Sequence, residues 1–452
     1  MGRPNKRFFL MDSVLGGIIG QLHGGSGLWR TFLEICDLGP RFSGTPSEAA
    51  AADYLERHLR EAGLPHVRRW EFGYTGWRCA RCGLSHPGAP PGWAFRAMPL
   101  VYSAATPPGG MELEVADLGR GTAEDFRRAG DSVRGRAVIV DAEYSFSVNS
   151  LHRRRKFLPA VERGAAAFLL ANSRPGRFPV TGSTTPPGSP IPAIGLSRED
   201  GTLLRRLGGR VRLDVQVETA PARAANLIAS LPGRGGGRKI ILCAHYDGHN
   251  CGESALDNAT GCAVALELAR ALSAHRGIFA NDLEVHFYTA EEWGLQGSRA
   301  YVNALSEEEI PGIALNLNLD VVAGSSKFTF LCNGFPDLAD WVRGALADEP
   351  SHCEVSEWVA NNSDHANYVA RGVPAVRILA GLDENGSDCG FHLSPADTSD
   401  KVGRMDLTAG AGAAARVLLK ALQSEKPLAR TRTREEAGRL MLHYGFTPPP
   451  AD

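Results

Sequence analysis

The C-terminal half of the chain alternates between two hydrophobic rhythms. Short, largely apolar runs, KIILCA, LEVHFYTA, IALNLNL and PAVRILA, read as strands, KIILCA as a buried one. Between the first two lies NATGCAVALELARALSAH, where apolar residues recur at helical spacing. Strands alternating with helices predict an α/β fold: a three-layer α/β/α sandwich around a mostly parallel central sheet.

The N-terminal part carries a helix of the same domain. Thr45-Pro46-Ser47-Glu48 supplies an N-cap, a proline in the first turn and a glutamate three residues after the cap. Ala51, Tyr54, Leu55, His58, Leu59 and Ala62 follow at helical spacing, and Gly63 ends the run. Residues 80–110 are rich in proline and glycine, which predicts a boundary. A compact mixed α/β unit follows, with strands RAVIVDA, AAAFLLAN and IPAIGL. It has helices in SLHRRRKFLPAVERG and in REDGTLLRRLGG, the latter capped by Ser197 with Asp200, and VRLDVQVET closes it near Pro221. The predicted division is residues 1–97 with 223–424 as the main domain, 98–222 as an insert, and 425–452 as a tail with one short helix.

Charge and cysteine content narrow the function. With 452 residues and a net charge of −1, no global field favours nucleic acid or an anionic membrane. The basic run His152-Arg153-Arg154-Arg155-Lys156 reads as a solvated helix face. Nine scattered cysteines do not make a disulfide framework in a chain this long. Cys79 and Cys82 form a lone C-x-x-C, whereas a structural zinc site needs four ligands. The opening MGRPNKRFFLMDSVLGGIIGQL begins like a secretory leader, yet Asp12 interrupts it and no small-x-small cleavage site follows. No apolar stretch is long enough to span a membrane, so the expectation is a soluble, cytoplasmic protein.

Ligands of open α/β sheets collect at the carboxyl ends of the strands. His245 and Asp247 follow the first predicted strand, Glu291 and Glu292 the second, and Asp320 the third. Imidazole nitrogen and carboxylate oxygen are the donors a zinc site uses. Asp257, just before the helix, is a carboxylate able to bridge two metals. Successive side chains of extended backbone point opposite ways, so one of the adjacent glutamates can ligate while the other serves as a base. His286 reads as structural, His249 as a weaker candidate, and His392 fits a surface turn equally well.

In combination and in order, AHYD, LDNATG, TAEEWGLQGS, NLD, SDHANYVARGVPA and FHLSPADTSDK resemble the M28 family of zinc peptidases. That resemblance implies a phosphorylase/hydrolase-like sandwich and, for residues 98–222, an inserted protease-associated domain. It implies two zinc ions per chain: His245, Asp257 and Asp320 on one, with Asp257 bridging, and Glu292 and His392 completing the other. Asp247 would orient His245, Glu291 would be the general base, and the Asp257–Asn258 peptide would be cis. His249 and Glu253 are then expected at the rim. Leu256 departs from the Asp or Asn that many members carry there. Arg377, Asp364 and His365 fall beside the substrate pocket, Arg377 being either a carboxylate clamp or a salt-bridged structural residue. The expected activity is a dinuclear zinc exopeptidase, most simply an aminopeptidase. Its partners would be peptide substrates, with no nucleic acid and with oligomer formation possible. Alternatives are a carboxypeptidase or dipeptidase of the family, a single-zinc glutaminyl-cyclase-like acyltransferase, and a metal-free binding relative.

Overall fold

The computed structural model describes residues 6–184 and 188–446, with side chains from Ser13 onward. Residues 1–5, which begin the leader-like run, and part of the TGSTTPPGSP loop lie outside the described residues.

The strands, in chain order, are β1 (Arg68–Ser85), β2 (Ala97–Pro99), β3 (Met111–Asp117), β4 (Ala137–Asp141), β5 (Ala167–Ala171), β6 (Ala193–Leu196) and β7 (Arg210–Leu231). The remainder are β8 (Lys239–His245), β9 (Asp282–Tyr288), β10 (Ile313–Leu319), β11 (Lys327–Leu331), β12 (His352–Ser356) and β13 (Ala375–Ala380). Among the described residues they form one sheet in the order β12-β11-β13-β10-β8-β9-β7-β3-β4-β5-β6-β2, with β1 paired to β7. β9, β8, β10 and β13 run parallel, so their carboxyl ends open on one edge. β8 and β10 are almost wholly buried, as strands covered on both faces are. Of the two asparagines inside β10, Asn318 donates to Ser363 Oγ at 2.6 Å and Asn316 donates to Cys243 Sγ at 3.1 Å, while Asn316 Oδ1 is buried without a partner among the described residues.

Helices Thr260–Ser273 and Arg404–Gln423 cover one face together with Lys6–Gly24 and Gly27–Cys36. Gln296–Ala304, His365–Ala370 and Arg434–His443 pack together on the other. Thr45 caps Pro46–Glu61 through the Glu48 N–H, as expected, but the Glu48 carboxylate turns to the Gly44 N–H at 2.7 Å instead of closing back on Thr45. The tail helix docks on the body: Ala437 and Met441 are buried, and the Arg432 N–H donates to Gly372 O at 2.9 Å. No helix among the described residues is long and apolar enough to cross a membrane.

The insert joins differently from expectation. β1 and β7 make a continuous antiparallel ribbon from Arg68↔Ile228 to Ser85↔Arg212, so residues 80–85 are strand and not linker. Pro221, expected to end the insert, stays inside the ladder opposite Thr75. β3 then adds to β7, and the insert's own strands extend the same sheet. Short β11 and β12 were not legible from periodicity; β12 is only partly buried, so it lacks an apolar run.

Candidate metal centre

His245 is the last residue of β8 and is fully buried. Its Nε2 lies 3.1 Å from Asp257 Oδ1 and 3.7 Å from Asp320 Oδ1. Its Nδ1 faces the Asp247 backbone carbonyl at 3.2 Å and Asp247 Oδ1 at 3.5 Å. A partner on one ring nitrogen fixes which nitrogen points into the site. Asp257 sits in the turn before its helix, and two contacts set that turn: the Asp397 carboxylate accepts the Leu256 N–H at 2.7 Å and the Asp257 N–H at 3.2 Å. The Asp257–Asn258 bond is cis.

Glu291 and Glu292 do not continue the strand. β9 stops at Tyr288, Ala290 takes a left-handed conformation (φ 53), and the pair lies on a tight turn. Their N–H groups both point to Asp247, at 3.1 Å to Oδ1 and 3.3 Å to Oδ2. That they fall in different groups of converging donors therefore comes from the turn, not from strand alternation. Trp293, next in the chain, is locked in an aromatic box with Phe42, Tyr74, Trp77 and Tyr102.

The donors converge in two overlapping groups. Ligand atoms of His245, Asp257 and Glu292 lie within 4.8 Å of one another, as do those of His245, Glu291 and Asp320. His392 belongs to neither group; its Nδ1 is held by Cys389 O at 2.8 Å, and its ring lies 4.3 Å from that of Phe146. Glu292 Oε1, Asp320 Oδ1 and His392 Nε2 are buried with no hydrogen-bond partner among the described residues. Unmet buried acceptors of this kind fit a divalent cation, which would supply the positive charge they lack.

The electrostatics agree. Burial raises both Glu291 and Glu292 well above the ordinary carboxylate range, with neighbouring carboxylates adding to it. Burial would lower His245, but the carboxylates of Glu291, Asp247, Asp257 and Asp320 outweigh it and hold the imidazole well above its usual value. Burial would likewise raise Asp320; the Arg377 guanidinium and His245 prevail and keep it low.

Several residues stand elsewhere than expected. His249 is not at the rim: it is buried, with Nε2 2.6 Å from Glu292 Oε2, because its loop folds back under the turn. Glu253 braces the loop by accepting the Ser399 N–H at 2.7 Å. Arg377 is buried on Asp320 Oδ2 at 2.9 Å and donates to Asn362 Oδ1 at 2.9 Å. Asp364 is buried, and burial lifts its carboxyl to about 7. His365 Nε2 lies on Ala360 O at 3.1 Å, and burial lowers its ring to about 3. His286 is clear of the site, between Glu284 and Tyr288. Asp397, in SPADTSD, carries no local sequence signal of a role, yet it holds the Asp257 turn. Cys79 and Cys82 are free thiols on β1, against the core of the insert.

Residues 226–417 match peptidase family M28 and residues 97–204 match the PA domain. "Probable lipoprotein aminopeptidase LpqL" of Mycobacterium tuberculosis is 27% identical over 76% of this chain and 70% of its own length. "Probable leucine aminopeptidase 2" of Arthroderma benhamiae is 31% identical over 73% of this chain and 66% of its own. The structure of BSAP, a zinc aminopeptidase from Bacillus subtilis, superposes with a TM-score of 0.71 at 22% identity, covering 89% of this chain and 97% of that one. The chain belongs to peptidase family M28 and carries a PA domain set into its peptidase domain.

Proposed function

We propose that the chain is a dinuclear zinc aminopeptidase, removing single residues from the amino end of peptides. The observation that carries this reading is the pair of donor groups that share His245 and divide Glu292 from Glu291. The names of the M. tuberculosis and A. benhamiae relatives support the aminopeptidase part, and the B. subtilis structure supports zinc.

His245, Asp257 and Asp320 would hold one ion, and Asp257, Glu292 and His392 the other. Zinc held by these residues would supply Lewis-acid chemistry, lowering the pKa of a water and polarising the scissile carbonyl. The chain's own residues do the rest. Burial makes Glu291 a stronger base than a surface glutamate, and it stands beside His245 and Asp320, within reach of a water in the site. Glu291 takes the water's proton and delivers it to the leaving amine. Asp247 keeps that carboxylate in place by holding its backbone N–H. Incubating the zinc-loaded protein with a mixed peptide library and weighing the products tests the proposal. Loss of amino-terminal residues is expected; loss of carboxyl-terminal residues would make it a carboxypeptidase.

A further inference from the structure

The loop after β8 turns His249 inward, and close backbone contacts hold it there. A Cβ on Gly248 would run into the Ser254 side chain and lie 2.8 Å from Pro40 O, so the chain passes this point as glycine. A Cβ on Gly252, at φ 62, would lie 2.7 Å from Asp397 O. Just beyond, the Glu253 N–H donates to Asp397 O at 2.8 Å, which joins this loop to the one that carries His392. The His249 side chain is thereby buried against the turn of Glu291 and Glu292.

Its ring is unlike those of the other buried histidines. His245, His365 and His392 each have one ring nitrogen on a backbone carbonyl, and His286 has both nitrogens on side chains. Neither ring nitrogen of His249 has a hydrogen-bond partner among the described residues. Yet Nε2 stands 2.6 Å from Glu292 Oε2, with no ring N–H directed at that oxygen. Two electron-rich atoms so placed repel each other unless a cation lies against both. His245 shows the same arrangement: its Nε2 is 3.1 Å from Asp257 Oδ1 and makes no hydrogen bond. Neighbouring donors to one ion stand in this way; a hydrogen-bond donor and its acceptor do not.

The surroundings offer His249 no other use. The charges that act on its ring are those of Asp257, Arg153, Asp247 and His245. Arg153 belongs to the basic run expected as a solvated helix face, but of that run Arg155 alone is exposed. Lys156 is fully buried, with Nζ 2.7 Å from Glu143 Oε1. Arg153 Nε donates to Ser183 O at 2.7 Å and Arg154 Nη2 to Ser183 Oγ at 2.6 Å, so neither guanidinium is bonded to the imidazole.

We propose that His249 ligates the second metal position through Nε2, beside Glu292, so that this ion is held by two imidazoles, His249 and His392, and two carboxylates, Asp257 and Glu292. This deepens the dinuclear reading above and rests on it. A neutral imidazole adds a donor without adding negative charge to a group of buried carboxylates. Imidazole suits zinc, copper and nickel, whereas oxygen donors alone suit magnesium, calcium or manganese. The second imidazole therefore biases this position towards zinc.

The test is zinc-edge X-ray absorption on the fully loaded wild type, with zinc affinity measured by chelator competition on the wild type and on His249→Phe. The wild type is expected to show three imidazoles, from His245, His249 and His392, shared between two ions, and His249→Phe to show two. Phenylalanine fills similar space without a donor. One of the two ions in the variant should therefore bind about a hundredfold more weakly, since even the loss of a group behind a ligand costs about 10–100-fold. Excess zinc should restore the variant's turnover. The wild-type spectrum gives the imidazole count even where the variant folds poorly. Two imidazoles shared between two ions in the wild type, or unchanged zinc affinity in His249→Phe, overturns the ligand role and leaves the dinuclear reading intact. A rise in KM that excess zinc does not reverse makes His249 a substrate contact and overturns it as well. Saturation of the wild type at one zinc ion per chain overturns the dinuclear reading and the second position with it.

Discussion

The Asp247 carboxylate accepts the backbone N–H of Glu291 at 3.1 Å, tying the end of β8 to the turn after β9. Its other oxygen takes the Glu292 N–H at 3.3 Å and the Ser43 hydroxyl at 3.1 Å, so one side chain sets the position of both adjacent glutamates. The imidazole contact foreseen for it, at 3.5 Å, is the longer of its interactions.

Asp247→Asn keeps the shape but replaces one acceptor oxygen by a donor, leaving at least one buried N–H unmet. An unmet buried donor costs about 1–3 kcal/mol, and loss of a support behind a metal ligand costs about 10–100-fold in activity or metal affinity. The variant is expected to show a lower Tm and a kcat lower by that factor. Wild-type Tm and kcat together would remove Asp247 from its supporting role.

Arg377→Met leaves the Asp320 carboxylate buried without its guanidinium. Breaking a buried pair from one side costs about 3–5 kcal/mol, and zinc on Asp320 should offset part of this. The metal-free variant is therefore expected to melt well below the wild type, with a larger rise in Tm on adding zinc. Activity should fall equally on neutral and acidic peptides, because both hydrogen-bonding faces in contact are turned to Asp320 and Asn362. A KM increase confined to short or acidic peptides would make Arg377 a substrate clamp instead.

The parts of the fold that were legible are those where local chemistry and tertiary burial agree. β8, β9, β10 and β13 are largely apolar because both of their faces are covered, and candidate donor residues stand at or just past the ends of β8, β9 and β10. The Pro46–Glu61 helix carries its own start signal in Thr45. What was not legible depends on partners distant in sequence. Pro221 looks like a terminator until β1 pairs across it, and nothing local to Arg153 and Arg154 says that the insert folds back over the strand ends. The placement of His249 on Glu292 needed the turn at Ala290, whose left-handed backbone has no sequence mark.

Glu48 makes a pH dependence. It is buried at the start of its helix, accepting from Gly44 N and from the Thr289 hydroxyl, and burial lifts its carboxyl from 4.5 to about 7. The folded state therefore holds this proton more tightly than the unfolded chain. The contribution is fully present below about pH 4.5 and is lost as the pH rises through about 7. At about 1.4 kcal/mol per pH unit it amounts to roughly 3 kcal/mol at most. Glu48→Gln should flatten the fall of Tm between pH 5 and pH 8 by about that contribution. A variant whose Tm profile keeps the full wild-type slope would show that Glu48 does not titrate in this range.

The central claim is that Glu291 moves the proton while Glu292 holds metal, and bound zinc measured beside kcat in Glu291→Gln and Glu292→Gln tests it most directly. Glu291→Gln is expected to retain both zinc ions and to lose about 10²–10⁴-fold in kcat. Glu292→Gln is expected to bind less zinc than the wild type, whose saturating content should be near two per chain. Zinc lost from Glu291→Gln but kept in Glu292→Gln would reverse the two roles, and near wild-type turnover in Glu291→Gln would contradict the mechanism.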